Sequence, residues 1–210
     1  MVEVDLAPGY VAHPTSVAPD VWWDATPRLT VGLVHSDASL DQLVPRATFC
    51  VIKGDPLACN RVYNGSGLDV RYAVLPWLEP RVRFVVRDLD PVKPALLAGA
   101  FIHGQWGRWG LAADPYLQGG LANMTEGNRS AIWLPVRASV AVPHAELWLD
   151  TGWNAELRTW SDDWHVPVGV GASAGGDIAV GAELGFRTLI GPQNTPKERV
   201  LFVFVSWRSS

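Results

Sequence analysis

Long apolar runs are missing from this 210-residue chain, and none approaches the 18 or more residues that a transmembrane helix requires. Charged residues are scarce, at 18%, whereas ordinary soluble domains carry roughly 25%. Lysine is rarer still, with three residues against 14 arginines. The absence of apolar runs excludes a helical membrane protein, and the low charge is unusual for a domain whose whole surface meets water.

Signals for cofactors and nucleic acids are also lacking. The five His are dispersed, with no pair at ligand spacing and no Cys-x-x-Cys, so we expect no metal site and no other cofactor. The net charge of -4 and a pI near 5.7 give no reason to expect nucleic-acid binding, for which a basic patch is typical.

What the chain does contain is a strict alternation of apolar and polar residues. Between residues 68 and 86, one register is apolar, and the other holds Asp69, Arg71, Arg81 and Arg83. Successive side chains on a strand point to opposite faces, so this pattern predicts a sheet with one apolar and one charged face. The alternation recurs at 109–121, 131–142 and 177–187. Without helices to cover the apolar face, we expect a closed barrel with lipid outside and a charged lumen inside.

Turn and loop segments separate the alternating stretches, and short segments alternate with longer ones. They divide the chain into about twelve strands of roughly 8–12 residues, or ten if residues 1–36 form fewer. The short turns are expected at 25–28, 77–80, 106–108, 143–144 and 174–176. The longer loops are expected at 13–19, 37–66, 88–94, 122–129, 153–164 and 189–198. This rhythm is typical of an all-β, up-and-down antiparallel transmembrane barrel.

The pattern resembles the bacterial outer-membrane β-barrel superfamily over residues 2–207. The resemblance implies one barrel domain over residues 1–210, short periplasmic turns, longer extracellular loops, and lipid or detergent as a partner. It also implies that a signal peptide has been removed before Met1. Members typically end in an alternating strand closed by an aromatic residue; here Trp207 is followed by three more residues, and Phe202 and Phe204 make both faces of the strand apolar.

Tryptophan and cysteine positions carry two further predictions. Amphipathic rings favour the membrane interfaces, and the chain has 11 Trp. We expect interface positions for Trp23, Trp77, Trp106, Trp109, Trp153, Trp164 and Trp207. Cys50 and Cys59 lie in a loop-like stretch, where a disulfide fits an oxidising periplasmic or cell-surface site; two unpaired thiols are the alternative.

The inward register supplies the candidate functional residues. The predicted pore-lining set is Asp69, Arg71, Arg81, Arg83, Arg87, His103, Asp114, Tyr116, Gln118, Arg137, Glu146, Asp150, Asp177, Glu183 and Arg187. Arginines on neighbouring strands face acids from later strands, an arrangement with which a narrow pore orients polar solutes. The sequence therefore predicts a small passive channel for polar or charged solutes, with no enzymatic activity.

Three alternatives stay open. Arg–carboxylate networks would plug the lumen and leave a structural barrel, or one that binds a partner through loops 37–66 and 153–164. A lipid hydrolase on the barrel rim would use His103 or His165 with Ser139, Ser173 or Asp150. A soluble barrel of lipocalin type would instead place the apolar residues inside.

Overall fold

The computed structural model describes residues 2–5, 12–14, 21–34, 66–89, 91–192 and 195–207. Within these ranges the chain is built from β-strands, with one turn of 3-10 helix at Met124–Glu126. The strands are β1 Val2–Asp5, β2 Ala12–Pro14, β3 Val21–Thr26, β4 Leu29–Val34, β5 Ser66–Tyr72, β6 Leu78–Leu89, β7 Val92–Trp106, β8 Trp109–Ala113, β9 Tyr116–Gly120, β10 Ala131–Val142, β11 Ala145–Glu156, β12 Trp164–Gly175, β13 Ile178–Ile190 and β14 Thr195–Trp207. Among the described residues, no helix has the length and apolar character needed to cross a membrane.

The strands form one antiparallel sheet in which neighbours along the chain are also neighbours in space. The order is β2-β1-β14-β13-β12-β11-β10-β8-β7-β6-β5-β4-β3, and β9 continues the position of β8 between β7 and β10. Leaving aside the three-residue β2, the described sheet has twelve positions. The pairing of β1 with β14 joins the first strand to the last, as an up-and-down barrel requires. The predicted all-β, up-and-down antiparallel fold is confirmed.

Short turns lie at one edge of the sheet, which we call the turn edge. They connect β3 to β4, β5 to β6, β7 to β8, β10 to β11 and β12 to β13. At the opposite edge, the loop edge, residues 121–130 and 157–163 form longer connections. The short-turn predictions hold within a few residues, the largest shift being that β6 already begins at Leu78.

The loop predicted at 88–94 is wrong. β6 continues to Leu89 and β7 starts at Val92, with an irregular register between them. Asp88 and Pro94 are typical loop residues, but Asp88 belongs to β6 and Pro94 to β7. Lys93, expected in that loop, is a buried residue of β7. The two strands, and the buried side chains that they carry, therefore extend further towards the loop edge than the sequence predicts.

The two faces of the sheet have reversed polarity compared with a soluble protein. On one face the large apolar side chains are exposed, for example Phe84 at 45% and Val180 at 54%. On the other face Asp69 is 0% and Arg83 2% exposed. Ionised groups are thus enclosed, and apolar ones meet the surroundings, which in water would be unfavourable and in lipid is favourable.

The charged face is the enclosed one, since its side chains are buried and meet across several strands, and we call it the concave face. β11 and β14 are three positions apart, which is about 14 Å in a flat sheet. Yet the rings of Trp148 on β11 and Phe204 on β14 have centroids only 6.0 Å apart. Arg137 on β10 likewise reaches Glu183 on β13 at 3.4 Å. The Trp148 ring lies over Gly171 of β12 and the Phe204 ring over Gly181 of β13, so the two meet on the charged face, and Phe204 is thereby assigned to the inside. Strand order and polarity together fit the outer-membrane β-barrel architecture.

Candidate functional site

Two groups of ionised side chains occupy the concave face. The first, which we call the basic cluster, consists of Asp69, Arg71, Arg81, Arg83 and Asp114. Adjacent strands bring its members together, because Asp69 is the Cα partner of Arg83, and Arg71 that of Arg81, across β5 and β6. Asp114 stands at the junction of β8 and β9, two positions away in the sheet. All five were predicted to line the interior.

Asp69 is the centre of the basic cluster. Arg83 donates from Nε to Asp69 Oδ2 at 2.5 Å and also makes an ion pair through Nη2. Arg71 Nε donates to Asp69 Oδ1 at 3.2 Å, and Arg81 Nη2 lies 3.6 Å from Oδ2. Arg81 Nη1 in turn donates to Asp114. Three guanidinium groups and two carboxylates thus share a largely buried site with a formal charge of +1, in which Arg71 is 20% exposed.

Towards the loop edge, the interior beside the basic cluster is filled by apolar side chains. This packed layer consists of Val85, Ala95, Leu97, Tyr116 and Trp133, all buried. The rings of Tyr116 and Trp133 stack with centroids 5.9 Å apart, and Arg81 lies 5.6 Å from the Tyr116 ring centre. On this side the barrel wall carries a solid lining.

The second group, the acidic cluster, consists of Arg137, Glu146, Asp150 and Glu183. Arg137 donates to Asp150 through Nε at 2.7 Å and through Nη2 at 2.5 Å, and Nη2 also lies 3.4 Å from Glu183. Glu146 lies on the same face of β11 as Asp150 and is exposed. The Arg137 side chain is 45% exposed and Glu146 is exposed, so this cluster is more open to solvent than the basic one, whose most accessible member, Arg71, is 20% exposed.

Aromatic and glycine residues hold the acidic cluster against the wall. Trp148 Nε1 donates to Glu183 Oε2 at 3.0 Å, and its ring lies 4.7 Å from the Arg137 guanidinium. A Cβ at Gly169 would come within 2.5 Å of Glu183 Oε1, and one at Gly171 would collide with the Trp148 ring. Because glycine has no side chain, Glu183 and Trp148 can lie flat over the neighbouring strand β12.

The other predicted interior residues are dispersed. His103 lies 3.2 Å from Glu79 and stacks on Phe101, near the turn edge. Gln118 is buried and donates to the Arg129 carbonyl, and Arg87 is half-buried. β12 ends at Gly175, and Gly176 and Asp177 form the turn before β13. Asp177 is exposed there and belongs to neither cluster. The Arg187 side chain, Cys50 and Cys59 lie outside what the structure describes.

The predicted interface tryptophans fall into two groups. Those near the turn edge are at least half exposed: Trp23, Trp77, Trp106, Trp109 and Trp207. Trp153 and Trp164, near the loop edge, are half-buried members of β11 and β12. Their contact with lipid headgroups stays a prediction.

Sequence reasoning missed several residues of the concave face. Trp22, Phe101, Trp133 and Trp148 share the inward register with the charged residues, and Arg71 lies 4.1 Å from the Trp22 ring centre. The signal was available, because an aromatic residue two positions from an inward charge must share its face.

Ser173 has the sequence context of a hydrolase nucleophile. Residues 171–175, Gly-Ala-Ser-Ala-Gly, have the Gly-x-Ser-x-Gly spacing of hydrolase nucleophiles. That motif works on a sharp turn from a strand to a helix. Here Ser173 lies within β12, paired with β11 and β13 on either side. His103 contacts Glu79, and His165 contacts Asn154 at 3.1 Å. These contacts do not support the rim-hydrolase alternative.

Ionic contacts at the loop edge tie neighbouring connections together. Arg129 Nη1 donates to Glu156 at 2.5 Å, and this hydrogen bond raises the pKa of the Arg129 guanidinium. The Leu157 amide donates to the Ser130 carbonyl at 2.9 Å. Within the described residues, no three His, Cys, Asp or Glu side chains converge as metal ligands.

Comparison with known proteins adds little. No protein-family model and no curated protein matches the chain. Among solved structures, a mutant of the Rh. blastica porin is similar at 13% identity and a TM-score of 0.32, over 93% of this chain and 82% of that chain. A likeness at this level carries no information about what the chain does.

Proposed function

We propose that the protein is a single-domain barrel of the bacterial outer membrane that forms a small passive channel for polar or charged solutes. The observation that supports this most directly is the acidic cluster. It keeps ionised groups in contact with solvent on the concave face, while the convex face is apolar. Spanning lipid requires only an apolar outer face, so the solvent-accessible charged lining is better explained by the passage of solutes.

The channel would be narrow. The basic cluster and the packed layer fill the side of the interior formed by β5 to β9. The acidic cluster lies on the side formed by β10 to β13, where side chains lie flat over glycines. We therefore place the passage along β10 to β13, with charged groups on its wall to orient solutes.

The test is a conductance measurement on the full chain in planar lipid bilayers. We expect small, steady open currents from wild-type protein. Ser173 and Ala174 are neighbours on opposite faces of β12, so they provide a matched pair. Ser173→Trp should reduce the current by partial blocking, and Ala174→Trp should leave it unchanged. Silence of the wild type would refute the channel.

A plugged structural barrel is the second candidate, and the basic cluster is the observation that favours it. Paired, buried ions stiffen a wall without conducting anything. This candidate predicts a folded protein that is silent in bilayers and whose Ser173→Trp variant behaves like wild type.

A further inference from the structure

We propose that the passage selects small cations over anions, and that β11 supplies its oxygen ligands. This inference rests on the proposed channel and specifies its substrate class. Three features of the concave face carry it: the net charge of the acidic cluster, an unpaired carboxylate near the turn edge, and a buried amide oxygen without a donor.

The acidic cluster carries a net negative formal charge. The acidic cluster sets Arg137 against three carboxylates, Glu146, Asp150 and Glu183, for a formal charge of -2. The basic cluster carries +1, but its Arg81 and Arg83 are buried and paired to Asp69 and Asp114. The two clusters together still carry -1, and an ion in the passage along β10 to β13 lies nearest the acidic cluster, whose charge is negative.

Glu146 is the outermost carboxylate of the acidic cluster. It lies at the second residue of β11, next to the turn edge, and is exposed. Among the described residues it has no hydrogen-bond or ion-pair partner. Asp150, four residues further along the same face, already accepts two hydrogen bonds from Arg137. Glu146 is therefore the group best placed to attract an entering cation.

A buried oxygen continues the row along β11. Asn154 lies four residues beyond Asp150 on the same face and is 1% exposed. Its Nδ2 faces His165 Nε2 at 3.1 Å, which leaves Oδ1 buried without a hydrogen-bond partner. An amide oxygen without a donor is the kind of group that replaces water around a permeating cation. It is an independent observation that points to the same ligand chemistry as the carboxylates.

Reversal potentials in a KCl gradient measure the selectivity. For an ion about 7 Å from a charge of -2, screened by salt, we expect a permeability ratio of K⁺ to Cl⁻ of roughly seven. Glu146→Gln should lower the ratio to roughly three, and Glu146→Lys to about one. Asp177→Asn is the control, since it removes the same charge from a turn outside the cluster and should change little.

A second variant tests the amide oxygen. Asn154→Leu keeps the side-chain size but removes the acceptor, so we expect a several-fold smaller K⁺ current with the preference for K⁺ retained. An unchanged current in this variant would exclude Asn154 as a ligand. Steady currents with a ratio at or below one would overturn the selectivity but leave the channel standing. Absence of any current from wild type would overturn both.

Discussion

Replacing Asp69 by Asn should destabilise the protein strongly. Asp69 is fully buried and is the shared partner of Arg71, Arg81 and Arg83. The substitution removes the carboxylate that the three guanidinium groups share, so the formal charge of the basic cluster rises from +1 to +2. Removing one partner of a buried ion pair costs about 3–5 kcal/mol. Asn retains one acceptor oxygen, so we expect a loss near the lower end, about 3 kcal/mol.

Urea unfolding in lipid vesicles, followed by tryptophan fluorescence, measures this loss. With a denaturant slope of about 2 kcal/mol per M, the midpoint should fall by about 1.5 M. Asp177→Asn removes an exposed carboxylate and should stay within about 0.5 kcal/mol of wild type. Adding Arg83→Met to Asp69→Asn returns the charge to +1 and should recover part of the loss. A midpoint for Asp69→Asn equal to that of wild type would refute a buried, paired cluster.

Three further predictions concern the two faces of the sheet. Phe84→Arg places a charge in the middle of the apolar band and should cost about 2–4 kcal/mol in vesicle unfolding; an unchanged midpoint would argue against lipid contact. Gly171→Val should displace the Trp148 ring and lower the near-ultraviolet circular dichroism, whereas an unaltered spectrum would mean that the ring does not lie over the glycine. Trp106→Phe should reduce the fluorescence fraction quenched by brominated lipids, and Trp133→Phe should not; equal effects would contradict their assignment to outside and inside.

Much of the fold was predictable because a period of two in the sequence maps directly onto the two faces of a strand. The interior positions of Asp69, Arg83 and Asp114 follow from that period alone. Strand ends were harder. Asp88 and Pro94 are loop residues by composition, yet Asp88 lies within β6 and Pro94 within β7, and the register between these strands is irregular. Local propensity gave the wrong result there because pairing with the neighbouring strand overrides it.

The contents of the interior could be predicted only in part. Alternation assigns Arg83 and Arg137 to the same face but says nothing about how much water each one meets. Burial depends on the side chains that neighbouring strands direct at each group. Arg83 has Leu97 as its Cα partner on β7. Predicting such contacts requires the register between neighbouring strands, which cannot be read from a single sequence.

The two clusters differ in the side chains that are packed around them. On β12 and β13 the inward positions include Gly169, Gly171 and Gly181, and large side chains from neighbouring strands lie across them. A ring that lies along the wall leaves the space in front of it open, whereas a ring that projects from the wall fills it. The accessible Arg137 stands beside these flat-lying side chains, and the buried Arg83 stands beside the packed layer. Gly67 and Gly99 also occupy inward positions near Arg83, but Val85 and Tyr116 of the packed layer cover them. Burial of each charge is therefore set by the side chains packed over the wall and not by glycine alone.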